Sequence, residues 1–385
     1  MRQPTEVVPY PEGTRILHIG PPKTGTSTLQ SALHANRDLL AQHDVEYAGR
    51  LKHSRSAATA AVNPTPPPGY DPVIYELWDR FAASVRSSTA SRVIVSSETL
   101  SRADDDRARK IVEDLGGDVQ LVLTLRPFAS VLSSRWQQYV QDQTSASYPE
   151  WLAEVFGVDR PAGKFQFWHR YRLDEHIRRW GSVVGEENIT FIVLDPNDRG
   201  MLLQTFDRLL GLPIGSLVPG SDFTNASLPY PDVEMIRHFN RRWGLDGRSR
   251  DEWVRSVRNL AMLPLKDRSD IPFEPYRIET PRWAAERANT ASEPWIDAIR
   301  ASDVRVIGDL SNLIADVSQF PETHTIPTLV PTATSGELAY LFYEAGVKWG
   351  RRSSPGKSHV DLTTVSARAL AAELRARMAG QFRRR

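Results

Sequence analysis

Residues 15–28 read Arg15-Ile16-Leu17-His18-Ile19-Gly20-Pro21-Pro22-Lys23-Thr24-Gly25-Thr26-Ser27-Thr28. The first six, with Ile16, Leu17 and Ile19 among them, read as a short buried strand. Pro21 and Pro22 break it, and Lys23 to Thr28 form a small-residue turn. Leu29, Ala32, Leu33 and Leu39 then recur at helical spacing. A strand–loop–helix of this kind collects free backbone N–H groups and the positive end of a helix dipole, which favours an anionic phosphate. Gly25 permits close backbone approach, Lys23 supplies a cation, and Thr26, Ser27 and Thr28 supply hydroxyls.

The pattern continues downstream. Val73 to Arg86 reads as a helix, Arg92 to Ser97 as an apolar strand, Asp104 to Leu115 as a helix and Val119 to Leu125 as a third strand. A helix with proline in its first turn runs from Pro127 to Val140. Phe167 to Trp180 is amphipathic, Ile189 to Leu194 is a strand, and Met201 to Leu210 is a helix. The proline-rich stretch from Asn63 to Gly69 is a loop. Strands alternating with helices predict an α/β fold, a P-loop-like parallel sheet flanked by helices. Beyond about Asn225 strand signals give way to helical ones, at Asp232–Arg242, Asp251–Met262, Trp283–Ala288, Ser335–Trp349 and Leu362–Phe382. The expected division is a lead-in over 1–13, a nucleotide-binding core over 14–224 and a helical C-terminal extension over 225–385.

Composition narrows the chemistry. The chain has 385 residues, no cysteine and a formal net charge of +1. Disulfides, thiolate metal sites and a cysteine nucleophile are excluded. A global polyanion-binding surface is not indicated, and the terminal Arg383-Arg384-Arg385 reads as a solvated tail rather than a nucleic-acid contact. No stretch has the length and apolarity of a membrane span or a signal-peptide core, so the expected location is the cytoplasm.

The loop differs from the nucleoside-triphosphate pattern G-x-x-x-x-G-K-[ST]. Gly20 and Gly25 have the right separation, but Thr26 occupies the lysine position and the lysine of the loop, Lys23, precedes the second glycine. The next strand ends Val95-Ser96-Ser97-Glu98, with no convincing magnesium-binding aspartate. Pro22-Lys23-Thr24-Gly25-Thr26-Ser27-Thr28 instead closely resembles the 5′-phosphosulfate loop of sulfotransferases that use 3′-phosphoadenosine 5′-phosphosulfate (PAPS). That resemblance implies that Lys23, Thr24, Gly25, Thr26, Ser27 and Thr28 grip the 5′-phosphate of PAPS without a metal.

A second element strengthens it. The third strand ends Leu125-Arg126-Pro127, and Ser134 follows eight positions after Arg126. An arginine at a strand end can fork onto a phosphate, and the pair resembles the family's 3′-phosphate motif. Weaker similarities to bacterial members lie at Trp180, at Phe206 to Pro213 and at Phe223 to Leu228. The resemblance covers roughly residues 14–245 and is specific at the two phosphate motifs.

It implies sulfuryl transfer from PAPS to an acceptor hydroxyl on a carbohydrate, glycolipid or small metabolite. Such a transfer calls for a cation at the leaving phosphate, where Lys23 sits, and a general base at the hydroxyl. Glu98 is the first candidate base, directly after the second strand. His53, in Lys52-His53-Ser54-Arg55, is the second, and Glu46, in Val45-Glu46-Tyr47, the third. His169 and His176 lack a metal-ligand pattern and read as surface or packing groups. A magnesium-dependent kinase and a non-catalytic nucleotide-binding module are the alternative functions.

Overall fold

The computed structural model describes residues 7–63, 73–157, 168–220, 227–254, 257–258, 277–329 and 332–353. The proline-rich loop from 64 onward, the segment 221–226, half of the expected helix over 251–262, the expected helix Leu362–Phe382 and the arginine tail lie outside these residues.

Strand β1 (Thr14–His18) is followed by α1 (Thr26–Ala35), α2 (Arg37–Gln42), the short strand β2 (Val45–Tyr47), α3 (Arg55–Val62) and α4 (Val73–Arg86). Then come β3 (Arg92–Ser96), α5 (Asp105–Leu115), β4 (Asp118–Leu125), α6 (Phe128–Val140), α7 (Tyr148–Phe156), α8 (Leu173–Val184), β5 (Ile189–Val193) and α9 (Met201–Leu210). The remainder comprises α10 (Tyr230–Leu245), the single turn α11 (Arg250–Trp253), α12 (Arg282–Ala301), β6 (Arg305–Ile307) and α13 (Thr332–Ser353). The strands form one six-stranded sheet in the order β2-β3-β1-β4-β5-β6, and every pairing is parallel. The protein is thus an α/β fold with helices on both faces.

Both faces of β1 are covered, and its apolar residues Ile16 and Leu17 are adjacent rather than alternating with polar ones. Ile16 faces the cluster formed with α1 and α9, through Leu29, Leu33 and Phe206. Leu17 faces the larger cluster that includes Trp136 of α6, Trp180 of α8 and Ile299 of α12. Each such fully buried aliphatic side chain contributes about 1.5–3 kcal/mol. Among the described residues no helix is long and apolar enough to cross a membrane.

The structure departs from the sequence reading in several places. The helix expected to run on through Leu39 stops at Ala35, because Asn36 leaves the helical region and turns its amide back onto the Ala32 carbonyl. The amphipathic block ending at Trp180 is a 3-10 turn at Trp168–Arg170 and then α8, starting at Leu173. The stretch after Asn225, expected to be helical, supplies β6, which pairs with β5 and completes the sheet edge.

Candidate functional site

The loop after β1 has a strained backbone. Lys23 adopts φ 72°, in the left-handed region, which costs a non-glycine residue on the order of 1–3 kcal/mol. Gly25 follows at φ 97° and caps α1. The first-turn amides of α1 have no partner within the helix. The Thr26 hydroxyl beside them is buried and makes no hydrogen bond. Ser27 is exposed and Thr28 half-buried. Gly20 is required by close approach: a Cβ there would lie 2.8 Å from the Thr124 hydroxyl. A buried donor, a helix N-terminus and a lysine on a strained turn fit an anionic ligand such as a phosphosulfate.

Under this loop runs a chain of buried polar groups. Ser96, His18 and Thr124 stand on neighbouring strands β3, β1 and β4, and His18 lies in register with Ser96. The Thr24 hydroxyl donates to the Pro21 carbonyl at 2.7 Å and lies 2.9 Å from the Thr124 hydroxyl. His18 Nε2 is 3.2 Å from Thr124 Oγ1, and His18 Nδ1 is 2.9 Å from Ser96 Oγ. The Gln30 amide on α1 donates to the Ser96 carbonyl at 2.8 Å and approaches Ser96 Oγ at 3.3 Å. Gln30 Oε1 then meets His53 Nδ1 at 2.6 Å. Complete burial lowers the His18 pKa to about 3, so this imidazole is neutral near pH 7.

Of the candidate bases, His53 and Glu98 share the site and Glu46 does not. His53 is half-buried, and burial lowers its pKa, with Arg55 and Lys52 acting in the same direction and Glu98 opposing them. It is therefore neutral at pH 7, the state a base needs. Glu98 opens a 3-10 turn, Glu98–Arg102. Its charge acts on Lys23, Arg135 and Arg170 as well as on His53. Glu46 accepts from the Ser88 hydroxyl at 2.5 Å and lines a separate polar cleft with Arg37 and Tyr47. Its place in β2 carries it away from Lys23.

Cations the sequence reading passed over crowd the same region. Arg135 is buried and donates to Gln138 Oε1 at 2.5 Å and to the Tyr139 hydroxyl at 3.3 Å, both neutral partners. The Arg170 pKa is lowered to about 10 by burial and by the repulsion of Arg135 and Arg102. Burial likewise lowers the Lys23 pKa, with Glu98 opposing. Tyr171 braces the loop by donating to the Pro22 carbonyl at 3.0 Å. His176, read as a surface or packing group, is buried and hydrogen-bonded to the Arg170 carbonyl at 3.2 Å.

Arg126 follows β4 and lines a narrow cleft of about 20 Å³ with Pro21, Thr24, Phe128, Tyr171 and Trp295. Its side chain is exposed, and desolvation by the atoms packed around it lowers its pKa. Ser134 spends its proton on the Val131 carbonyl within α6, at 3.0 Å. No hydrogen bond joins Arg126 to Ser134 among the described residues.

No described protein family matches the chain, and no curated protein matches it in sequence. Among solved structures, a sulfotransferase from Alicyclobacillus acidocaldarius is similar, with 19% identity over 64% of this chain and 100% of that one and a TM-score of 0.36.

Proposed function

We propose that the protein transfers a sulfuryl group from PAPS to a hydroxyl of a carbohydrate or small-molecule acceptor, releasing 3′,5′-ADP. The observation that carries this reading is the loop: a lysine before the glycine, on a left-handed turn, beside the buried unpartnered hydroxyl of Thr26. Bound PAPS supplies an electrophilic sulfur, whose bond to the 5′-phosphate oxygen breaks as the acceptor oxygen attacks.

The protein's part is positional and electrostatic. The α1 N-terminus with Thr24, Gly25, Thr26, Ser27 and Thr28 holds the 5′-phosphate. The ammonium of Lys23 balances the charge that grows on the leaving oxygen. Arg126 holds the 3′-phosphate, with Ser134 turning its hydroxyl from Val131 to assist. Phe128, Tyr171 and Trp295 give the narrow cleft beside Arg126 an apolar wall. The acceptor proton passes to His53. Glu98 is the rival base, but its surroundings of Lys23, Arg135 and Arg170 suit a counter-ion better.

Arg126→Ala tests the two-phosphate donor site. It is expected to weaken 3′,5′-ADP by about 1.5–3 kcal/mol, the scale of a charge-assisted hydrogen bond, and to leave 5′-AMP nearly unaffected. Equal losses for both ligands in titrations of the folded variant would show that Arg126 does not read the 3′-phosphate.

A further inference from the structure

The buried chain beneath the loop has one direction. A carbonyl oxygen can only accept, so the Thr24 proton is committed to Pro21. Thr124 must then donate to Thr24. With its proton spent, Thr124 can only accept from His18, which places the proton of the neutral imidazole on Nε2. His18 Nδ1 is left as an acceptor and takes the Ser96 proton. Ser96 Oγ therefore accepts from the Gln30 amide, which also donates to the Ser96 carbonyl. That carbonyl independently fixes which end of the Gln30 amide faces the strand. The Gln30 oxygen is thereby presented to His53, and His53 Nδ1 must be its donor.

We infer that Gln30, Ser96, His18 and Thr124 are positioning residues. They hold His53 as its Nδ1–H tautomer and leave Nε2 as the basic nitrogen, poised to take a proton. Their role in turnover rests on the sulfotransferase reading with His53 as base. The tautomers themselves follow from the hydrogen bonds and the neutrality of the buried His18. Every donor from His53 to Thr24 points the same way, so the bonds reinforce one another. A proton arriving at Nε2 strengthens the Nδ1–H bond to Gln30, because a charged donor makes the stronger hydrogen bond. The charges that bear on His53 are Lys52 and Arg55 beside it in the chain, Glu98 of the 3-10 turn and His34 of α1.

The chain spans the ends of three parallel strands, and its residues are buried apart from the half-buried His53. Such a run of polar groups is costly unless each is satisfied. Apolar residues at His18, Ser96 and Thr124 would have packed the sheet at lower cost. Their presence is explained by what they orient at the far end.

Nitrogen-15 spectroscopy of the histidine rings in the intact protein near pH 7, with His53→Asn and His18→Asn used to assign signals, reads the tautomers directly. The expected result is His53 protonated at Nδ1 and His18 at Nε2, opposite tautomers in one molecule. His53 protonated at Nε2, or averaging between tautomers, would overturn the inference whether or not the protein transfers sulfate. The kinetic arm is Gln30→Met, which keeps volume and removes both polar ends. Turnover is expected to fall roughly 10–100-fold, the range for groups that orient a functional imidazole, with the donor KM unchanged. Unchanged turnover in the folded variant, or a rise in donor KM that accounts for the whole loss, would overturn the positioning role.

Discussion

His53→Ala is expected to lower turnover by roughly a hundredfold or more while leaving 3′,5′-ADP affinity unchanged, the usual scale for loss of a general base. The motive is electrostatic and geometric together. His53 is neutral at pH 7 because burial and the flanking Arg55 and Lys52 hold its pKa down, and Gln30 fixes one of its nitrogens. Glu98→Gln is the necessary companion, since it keeps size and hydrogen bonding but removes basicity. A counter-ion to Lys23, Arg135 and Arg170 should matter for the local field and much less for proton abstraction. Steady-state rates at saturating donor, with circular dichroism to confirm folding, separate the two. If Glu98→Gln abolishes turnover and His53→Ala retains it, the base is Glu98 and the chain beneath the loop serves the fold alone.

Lys23→Ala is expected to cut turnover by about 10²–10³, comparable to removing one preorganised donor from a developing oxyanion. Affinity for 3′,5′-ADP should fall less, because the α1 amides and Thr26 remain. Lys23→Gly sharpens the test. Glycine adopts the left-handed backbone freely, so this variant should be more stable than Lys23→Ala by about 1 kcal/mol yet equally inactive. A strained functional residue gives that combination of gained stability and lost activity. If both variants keep normal turnover, Lys23 is a turn residue with no part in the chemistry.

The sheet and the loop were legible because they follow strong local rules. β1, β3, β4 and β5 each carry adjacent apolar residues, and α4 and α9 begin and end where their periodicity does. β2 and β6 were not, since each is a three-residue strand recognisable only by what it pairs with. Arg305-Val306-Ile307 becomes a strand because β5 offers it an open edge, and local sequence carries no trace of that. The loop residues and Arg126 are candidates through the resemblance of their motifs, which is visible without the fold.

His18, Gln30, Ser96 and Thr124 left a fainter signal. Each is a polar residue where an apolar one is expected, three on buried strands and one on the inner face of α1. In one strand such a residue looks incidental. The pairing of neighbouring strands turns three of them into a chain, and that pairing is a property of the fold. Glu46 was misleading for the same reason: only the placement of β2 reveals that it faces another cleft.

The donor assignment is tested most directly by calorimetric titration of the full chain with 3′,5′-ADP in metal-free buffer, alongside Mg-ATP. Tight 3′,5′-ADP binding without metal is expected. The unfolding temperature should rise as well, since ligand at about a hundred times its Kd stabilises the native state by about 2.7 kcal/mol. Mg-ATP should neither bind tightly nor displace it. Tight Mg-ATP binding with no heat from 3′,5′-ADP would contradict the account and make the loop that of a kinase.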